Sequence, residues 1–398
     1  LAPAISWPLA IAGALLVAVP FTLAAATGHW ALAGAPLGLL LGFFLAKGDL
    51  CGAAAISEIL VLRDTRKLFG LWVASVTMMV GFAALSCAGL VGLCPRPLAW
   101  ASYLAGGTVF GVGMVLSGGC VSGTLYKCGL AHTSSLVALL TIPVGIRLVH
   151  IGPLAGVRVY LAGQVVEGPA GSPVTLGTLT GLPYPVLAAV LASITAVAGL
   201  RARRRRRPPP GVRPTPLPLA VRVLRRPWRP ATAGVAVGLL ALPAWLTSAA
   251  AGRDFPLCVT YGVEEASFLV SGSGNRLIRT PADLRDGGMS EPGAPAEAPK
   301  VYLWLVLFAA AVIPGAHFAA RLSGRAHWHR HPPDRLVVAA AGGLLLGIGA
   351  GLSEGCMLGN GVTGAALMSA GMVLFAVTAA MANLLTTHFW VLGGPGRS

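Results

Sequence analysis

The chain has 398 residues, 55% of them hydrophobic and only 11% charged, where a soluble domain carries about 25% charged residues. That deficit leaves too little polar surface to cover a water-soluble particle of this size, so a soluble globular protein is excluded and a bilayer is required. The net charge of +16 falls in clusters along the chain, which reads as a membrane-topology signal and not as a nucleic-acid surface.

Apolar runs close to the membrane-crossing length of about 20 residues lie at 8–26, 69–92, 184–200, 231–250, 301–320 and 365–390. The first has no basic leader and no cleavage site, and further spans follow, so it is expected to be a helix and not a signal peptide. After it, Gly34, Gly38 and Gly42 lead at four-residue spacing into Ala46-Lys47-Gly48-Asp49-Leu50-Cys51-Gly52. Lys47, Asp49 and Glu58 flank this thiol. Ionisable groups at membrane depth are costly and usually functional; in the cytoplasmic interface before Arg63 they would be ordinary surface groups. Both readings stand.

Basic residues gather at Arg63, Arg66 and Lys67, at Arg201–Arg229 with the run Arg203–Arg207, and at Arg321, Arg325, Arg330 and Arg335. By the positive-inside rule these stretches mark the cytoplasmic side. The Arg- and Pro-rich stretch 201–230 is the expected linker between two transmembrane repeats, 1–200 and 231–398. Within the second, the polar segment 251–300 holds seven acids and five bases and is expected to be an extracytoplasmic loop.

Residues 105–123 (AGGTVFGVGMVLSGGCVSG) and 341–359 (AGGLLLGIGAGLSEGCMLG) agree at ten of nineteen positions at a constant offset of 236. Shared composition alone would give about two or three matches. The charge markers send the Cys120 helix inward and the Cys356 helix outward, so the copies are expected to be inverted, a feature of transporters whose sites lie on interrupted helices. The fold expected is an all-α integral membrane protein of about nine or ten spans in two inverted repeats, with short broken or re-entrant helices at the Cys motifs.

Each copy frames a thiol with glycine: Gly118, Gly119 and Gly123 around Cys120, and Gly355, Gly359, Asn360 and Gly361 around Cys356. Glycine costs about 1 kcal/mol against alanine inside a helix, so these clusters predict breaks. Backbone N–H groups freed at a half-helix N-terminus favour an anion, and a thiol adds a weak donor and a polarisable sulfur. Cys87, Cys94 and Cys128 read as small apolar residues. Cys258 is a loose counterpart of Cys51 without the glycine frame. No CxxC pair occurs, and no His pair has metal-ligand spacing within an apolar run, so neither metal nor cofactor is expected. His327, His329 and His331 fall in a basic loop and read as solvated.

The patterns GGCxxGxLY at 118–126 and GCxxGxGxTG at 355–364, with Cys51 69 residues before Cys120, resemble the YeeE/YedE sulfur-transport family. The resemblance covers nearly the whole chain outside 201–230 and 262–300. It implies a multi-pass protein of the bacterial inner membrane that imports thiosulfate, passed between successive thiols. By motif position those thiols are Cys51, Cys120 and Cys356. It also implies a transporter and not an enzyme, and relatives often work beside a small cytoplasmic sulfur-carrier protein. Some relatives are associated with selenium or other sulfur species, so these stay open as substrates. One departure stands out: Glu354 occupies the position of Gly118, and a carboxylate beside an anion path repels substrate unless it is protonated or paired.

A rival reading is a membrane redox protein or sulfurtransferase holding a persulfide. It would need an activated thiolate, with Lys127 near Cys120 or Lys47 near Cys51 as the activating cation, and a resolving partner. The absence of CxxC and of any quinone, haem or nucleotide signature counts against it. An ion channel would need rings of charge or a carbonyl filter that the sequence lacks.

Overall fold

The computed structural model describes residues 7–93, 95–168, 171–205, 219–253, 255–271 and 301–393. Cys94, residues 206–218 of the linker and 272–300 of the polar segment lie outside the described residues. The helices are α1 (Trp7–Thr27), α2 (Gly34–Gly48), α3 (Gly52–Val61), α4 (Arg66–Cys87), α5 (Trp100–Leu116), α6 (Val121–Gly129) and α7 (Thr133–His150). The order continues with α8 (Tyr184–Arg205), α9 (Pro230–Ala250), α10 (Thr260–Ser271), α11 (Leu303–Leu322), α12 (Pro333–Leu352) and α13 (Ala370–Thr386), joined in places by shorter helical turns. Among the described residues, nine helical stretches are long and apolar enough to cross a membrane, and α1 adds a shorter apolar helix. A two-residue ribbon pairs Leu98 with Val166 and Ala99 with Val165, antiparallel.

The dominant packing pairs are α2 with α11, α4 with α9, α7 with α12, α5 with α13, and α5 with α12. In lipid there is little hydrophobic drive between helices, so close backbone approach supplies the attraction. The Gly34–Gly38–Gly42 stripe is built for that. A Cβ on each would run in turn into the backbone of Trp304, Phe308 and Val312, so α2 and α11 lie side by side and parallel. By contrast α5 and α12 are antiparallel: Gly106 meets Gly349 and Ser353, whereas Gly113 meets Gly342 and Leu346. Exchanging α2 with α9, α4 with α11, α5 with α12 and α7 with α13 turns each packing pair into another of the same set, or into itself.

Outside this core the bundle presents apolar side chains to its surroundings, including Leu15, Leu16 and Val19 on α1 and Val190, Ile194 and Val197 on α8. A lipid-facing surface has this character, and the chain is a multi-pass membrane protein. The three basic stretches meet at one end. There Lys47 Nζ donates to the Leu224 carbonyl and to Ser323 Oγ, the latter at 2.6 Å, while Lys67 Nζ pairs with Asp49 at 2.5 Å.

Two boundaries differ from expectation. The helix expected to reach 92 stops at Cys87, and Gly89 then takes a φ of 68° that only glycine adopts freely. The polar segment 251–300 is not a loop from its start. Leu257, Cys258, Val259, Thr260 and Glu264 are buried, and α10 packs on α11 and α7. The apolar run Phe255–Val259 draws that part of the chain into the core despite the acidic residues beyond it.

Candidate functional site

Three helix breaks position the motif thiols. Helix α2 ends at Gly48, Asp49 turns with φ 48°, and extended Cys51 starts α3 as its N-cap. Helix α5 ends at Leu116, Gly118 turns with φ 72°, and extended Cys120 starts α6. Helix α12 ends at Leu352, Glu354 turns with φ 54°, and extended Cys356 starts a π-helix, Met357–Thr363. Each sequence-expected break is present, and each thiol occupies an N-cap, where first-turn N–H groups lack intrahelical acceptors. All three cysteines are buried, at 1% exposure or less.

The structure brings two of these thiols together. Cys51 Sγ and Cys120 Sγ are 4.0 Å apart, and Ser122 Oγ lies 3.3 Å from Cys120 Sγ. Gly123 is required here, because a Cβ on it would strike the Cys51 sulfur. Cys356 stands apart from this pair but within its electrostatic reach. Met357, the residue after Cys356, packs on Gly52, the residue after Cys51, and leaves no room there for a side chain.

The two repeat motifs are braced in the same way. Ser117 Oγ donates to the carbonyls of Gly113 (2.7 Å) and Gly119 (2.8 Å); Ser353 Oγ donates to those of Gly349 (2.7 Å) and Gly355 (3.3 Å). Lys127 Nζ donates to the Gly118 carbonyl at 2.5 Å, and Arg96 Nη1 to the corresponding Glu354 carbonyl at 2.6 Å. Asn360 Nδ2 donates to the Ser353 carbonyl at 2.8 Å. Gly355 has no side chain because one would overlap Asn360. The Glu354 carboxylate pairs with Arg158 at 3.0 Å and with Arg96 at 3.5 Å. Arg96 in turn lies over the rings of Phe255 and Tyr261.

The flanking charges settle differently. Glu58 pairs with Lys67 at 2.6 Å. Lys47 points toward Leu224 and Ser323 and not toward Cys51, and it lines a cavity of about 270 Å³ with Asp49, His132, Arg325 and His329. Asp49 also accepts from the buried Tyr126 hydroxyl at 2.8 Å, which ties the turn before Cys51 to the helix after Cys120. Sequence reasoning missed Arg96, Arg158 and the role of Tyr126. The conspicuous signal was Tyr126 inside GGCxxGxLY; the two arginines sit in loops with no motif around them. Cys258, set aside as a loose counterpart, is buried beside Gly359.

A multi-pass helical membrane protein, with thiols buried at breaks in its central helices, is the class that this fold and site define. The sulphur transport family profile matches residues 47–385, and the chain belongs to that family. Among its relatives is the thiosulfate transporter TsuA of Escherichia coli, 27% identical over 344 residues that make up 85% of this chain and 88% of the relative. Another is the thiosulfate transporter TsuA of Spirochaeta thermophila, 28% identical over 371 residues, 90% of this chain and 96% of the relative.

Proposed function

We propose that this chain imports thiosulfate, or a closely related sulfur oxyanion, across the bacterial inner membrane without altering it chemically. The observation that carries this reading is the set of motif thiols at Cys51, Cys120 and Cys356, buried at helix N-caps in a member of the sulphur transport family. A bare dianion in hydrocarbon is prohibitive, so the protein must replace its water. Backbone N–H groups at α3 and α6 suit the oxygens, and thiols suit the soft terminal sulfur that sulfate lacks.

The two halves act as inverted repeats. Support comes from the antiparallel α5 and α12, from the packing pairs that exchange under the swap, and from the matched bracing at positions 118 and 354. The end that gathers Lys47, Lys67, His132 and Arg325 is the cytoplasmic one, in keeping with the positive-inside rule. A small sulfur-carrier protein receives the anion there.

The test is uptake of doubly labelled thiosulfate by vesicles containing the purified chain. Accumulation of both sulfurs in equal amount, with sulfate excluded, is the expected result. One sulfur retained on the protein would point to a sulfurtransferase, and preference for a selenium compound would reassign the substrate.

A further inference from the structure

We infer that Cys258 is a fourth thiol of the path, forming with Cys356 a second pair that matches Cys51 with Cys120, and that the Thr260 hydroxyl supplies this pair with a donor for an oxyanion oxygen. The inference rests on the thiosulfate-transport reading above and extends it to residues that no motif marks.

Cys258 lies just before α10 as Cys51 lies just before α3, and α10 packs on α7 as α3 packs on α13. These are the same exchanges that relate the major helix pairs. Gly123 and Gly359 correspond at the repeat offset. A Cβ on Gly123 would meet the sulfurs of Cys51 and Cys120, and a Cβ on Gly359 would meet the Cys258 sulfur at 3.4 Å. The glycine that seats Cys51 therefore has a counterpart that seats Cys258. Cys258 is 1% exposed and within electrostatic reach of both Cys356 and the Arg96 guanidinium.

An independent observation points to a ligand. Thr260 is 2% exposed, and its Oγ1 lies against the Cys356 thiol with no oxygen or nitrogen partner. Buried polar groups are nearly always paired, and one that is not calls for a partner that comes and goes. The Cys120 motif carries the same feature: Thr124, 1% exposed, also has an unpaired Oγ1. Each thiol pair thus stands with one buried hydroxyl that has no oxygen or nitrogen partner. That combination fits an anion with one soft sulfur and hard oxygens, the thiols facing the first and the hydroxyl the second. The Cβ and Cγ atoms of Met357, next to Cys356, pack on Gly52, next to Cys51, and so join the two breaks.

The experiment is initial-rate uptake of labelled thiosulfate by vesicles holding the wild-type chain, Cys258→Ala, Cys258→Ser, Thr260→Val or the exposed-site control Cys87→Ala, normalised to folded protein. Loss of a hydrogen bond to a charged ligand predicts a fall of about tenfold for Cys258→Ala, a smaller fall for Cys258→Ser, which keeps a donor but not a soft one, and a rise in KM for Thr260→Val. Cys87→Ala should match wild type. Cys258→Ser retains the size of the side chain and guards against collapse of the alanine variant. Rates per folded molecule that stay at wild-type level in both Cys258 variants would overturn the fourth thiol while leaving thiosulfate transport intact. Wild-type vesicles that exclude thiosulfate would instead sink the transport reading itself.

Discussion

Arg96 holds the backbone carbonyl of Glu354 at 2.6 Å, in the place where Lys127 holds the carbonyl of Gly118 in the other repeat. Both carbonyls belong to residues of positive φ two positions before a motif cysteine. A cation at this point fixes the turn that sets the thiol at its helix N-cap. The glycine of the first copy meets the left-handed geometry without strain, whereas for a residue with a Cβ it costs about 1–2 kcal/mol. Glu354 brings its own compensation in Arg158 and Arg96, but its side chain is 40% exposed and solvent screens those ion pairs.

Glu354→Gly should therefore leave the melting temperature of the detergent-purified protein unchanged or slightly raised, while Glu354→Ala lowers it by keeping the strain and losing the pairs. Removing the carboxylate also frees Arg96 and Arg158 toward an incoming anion. Both variants should show a lower KM for thiosulfate, with a steeper dependence on salt than wild type. A KM that does not move in either variant would mean that Glu354 does not screen the anion's approach.

The 4.0 Å approach of Cys51 and Cys120 makes these thiols the most direct test of sulfur-specific passage. Cys51→Ala and Cys120→Ala should each cut thiosulfate uptake by about tenfold or more, the loss expected for a hydrogen bond to a charged group. Serine at either position restores a hydroxyl but not a soft donor, so rescue should be partial. Full uptake by Cys120→Ala would remove the thiol relay from the mechanism.

Tyr126 is buried, and its hydroxyl donates to Asp49, which also pairs with Lys67. Tyr126→Phe keeps the ring and loses one hydrogen bond to an ionised acceptor, worth about 1.5–3 kcal/mol. The Asp49 carboxylate then keeps Lys67 as its partner. Slower uptake with a modest fall in melting temperature is expected; Asp49→Asn, which weakens both contacts, should be worse on each measure.

The membrane fold was legible because hydrophobic length and charge clustering are properties of single segments, and the breaks at Cys120 and Cys356 because glycine runs announce themselves locally. What escaped depends on distant parts of the chain. Arg96 and Arg158 are separated from Glu354 by 258 and 196 residues, and nothing near either arginine says which carboxylate it will face. Lys47 was read as a neighbour of Cys51 because the two are close in sequence. Helix α2 ends at the αL turn of Asp49 between them, and the ammonium lies at the basic end of the bundle. Segment 255–271 was read from its acidic residues, but the short apolar run before α10 decided its place.

The glycine stripe of α2 carries the parallel contact with α11. Gly38→Val would drive its side chain into the Phe308 carbonyl and the Ala311 methyl group. Overpacking of this kind costs about 1–3 kcal/mol, so the melting temperature should drop and the yield of monodisperse protein should fall with it. Gly28→Ala is the contrast. There a Cβ meets nothing within 4 Å, and any loss would come from the positive φ of 71° alone.

At the basic end, the loop after α6 is fastened to the loop before α12. His329 N–H donates to the Ala131 carbonyl and Thr133 N–H to the His329 carbonyl, each at 3.1 Å, while the His132 and His329 rings stack with centroids 4.3 Å apart. Burial first, and then the charges of His329, Lys127 and His331, push the pKa of His132 down from 6.5 to about 4, with Asp49 opposing. Between those values the folded chain binds fewer protons at this site than the unfolded one. By linkage, stability is then lost as pH falls through 6.5, and the loss continues to about 4. Melting temperature followed in detergent across this window should fall more steeply for wild type than for His132→Gln, which keeps a polar side chain but cannot titrate. Parallel slopes would mean that His132 does not carry the destabilising proton.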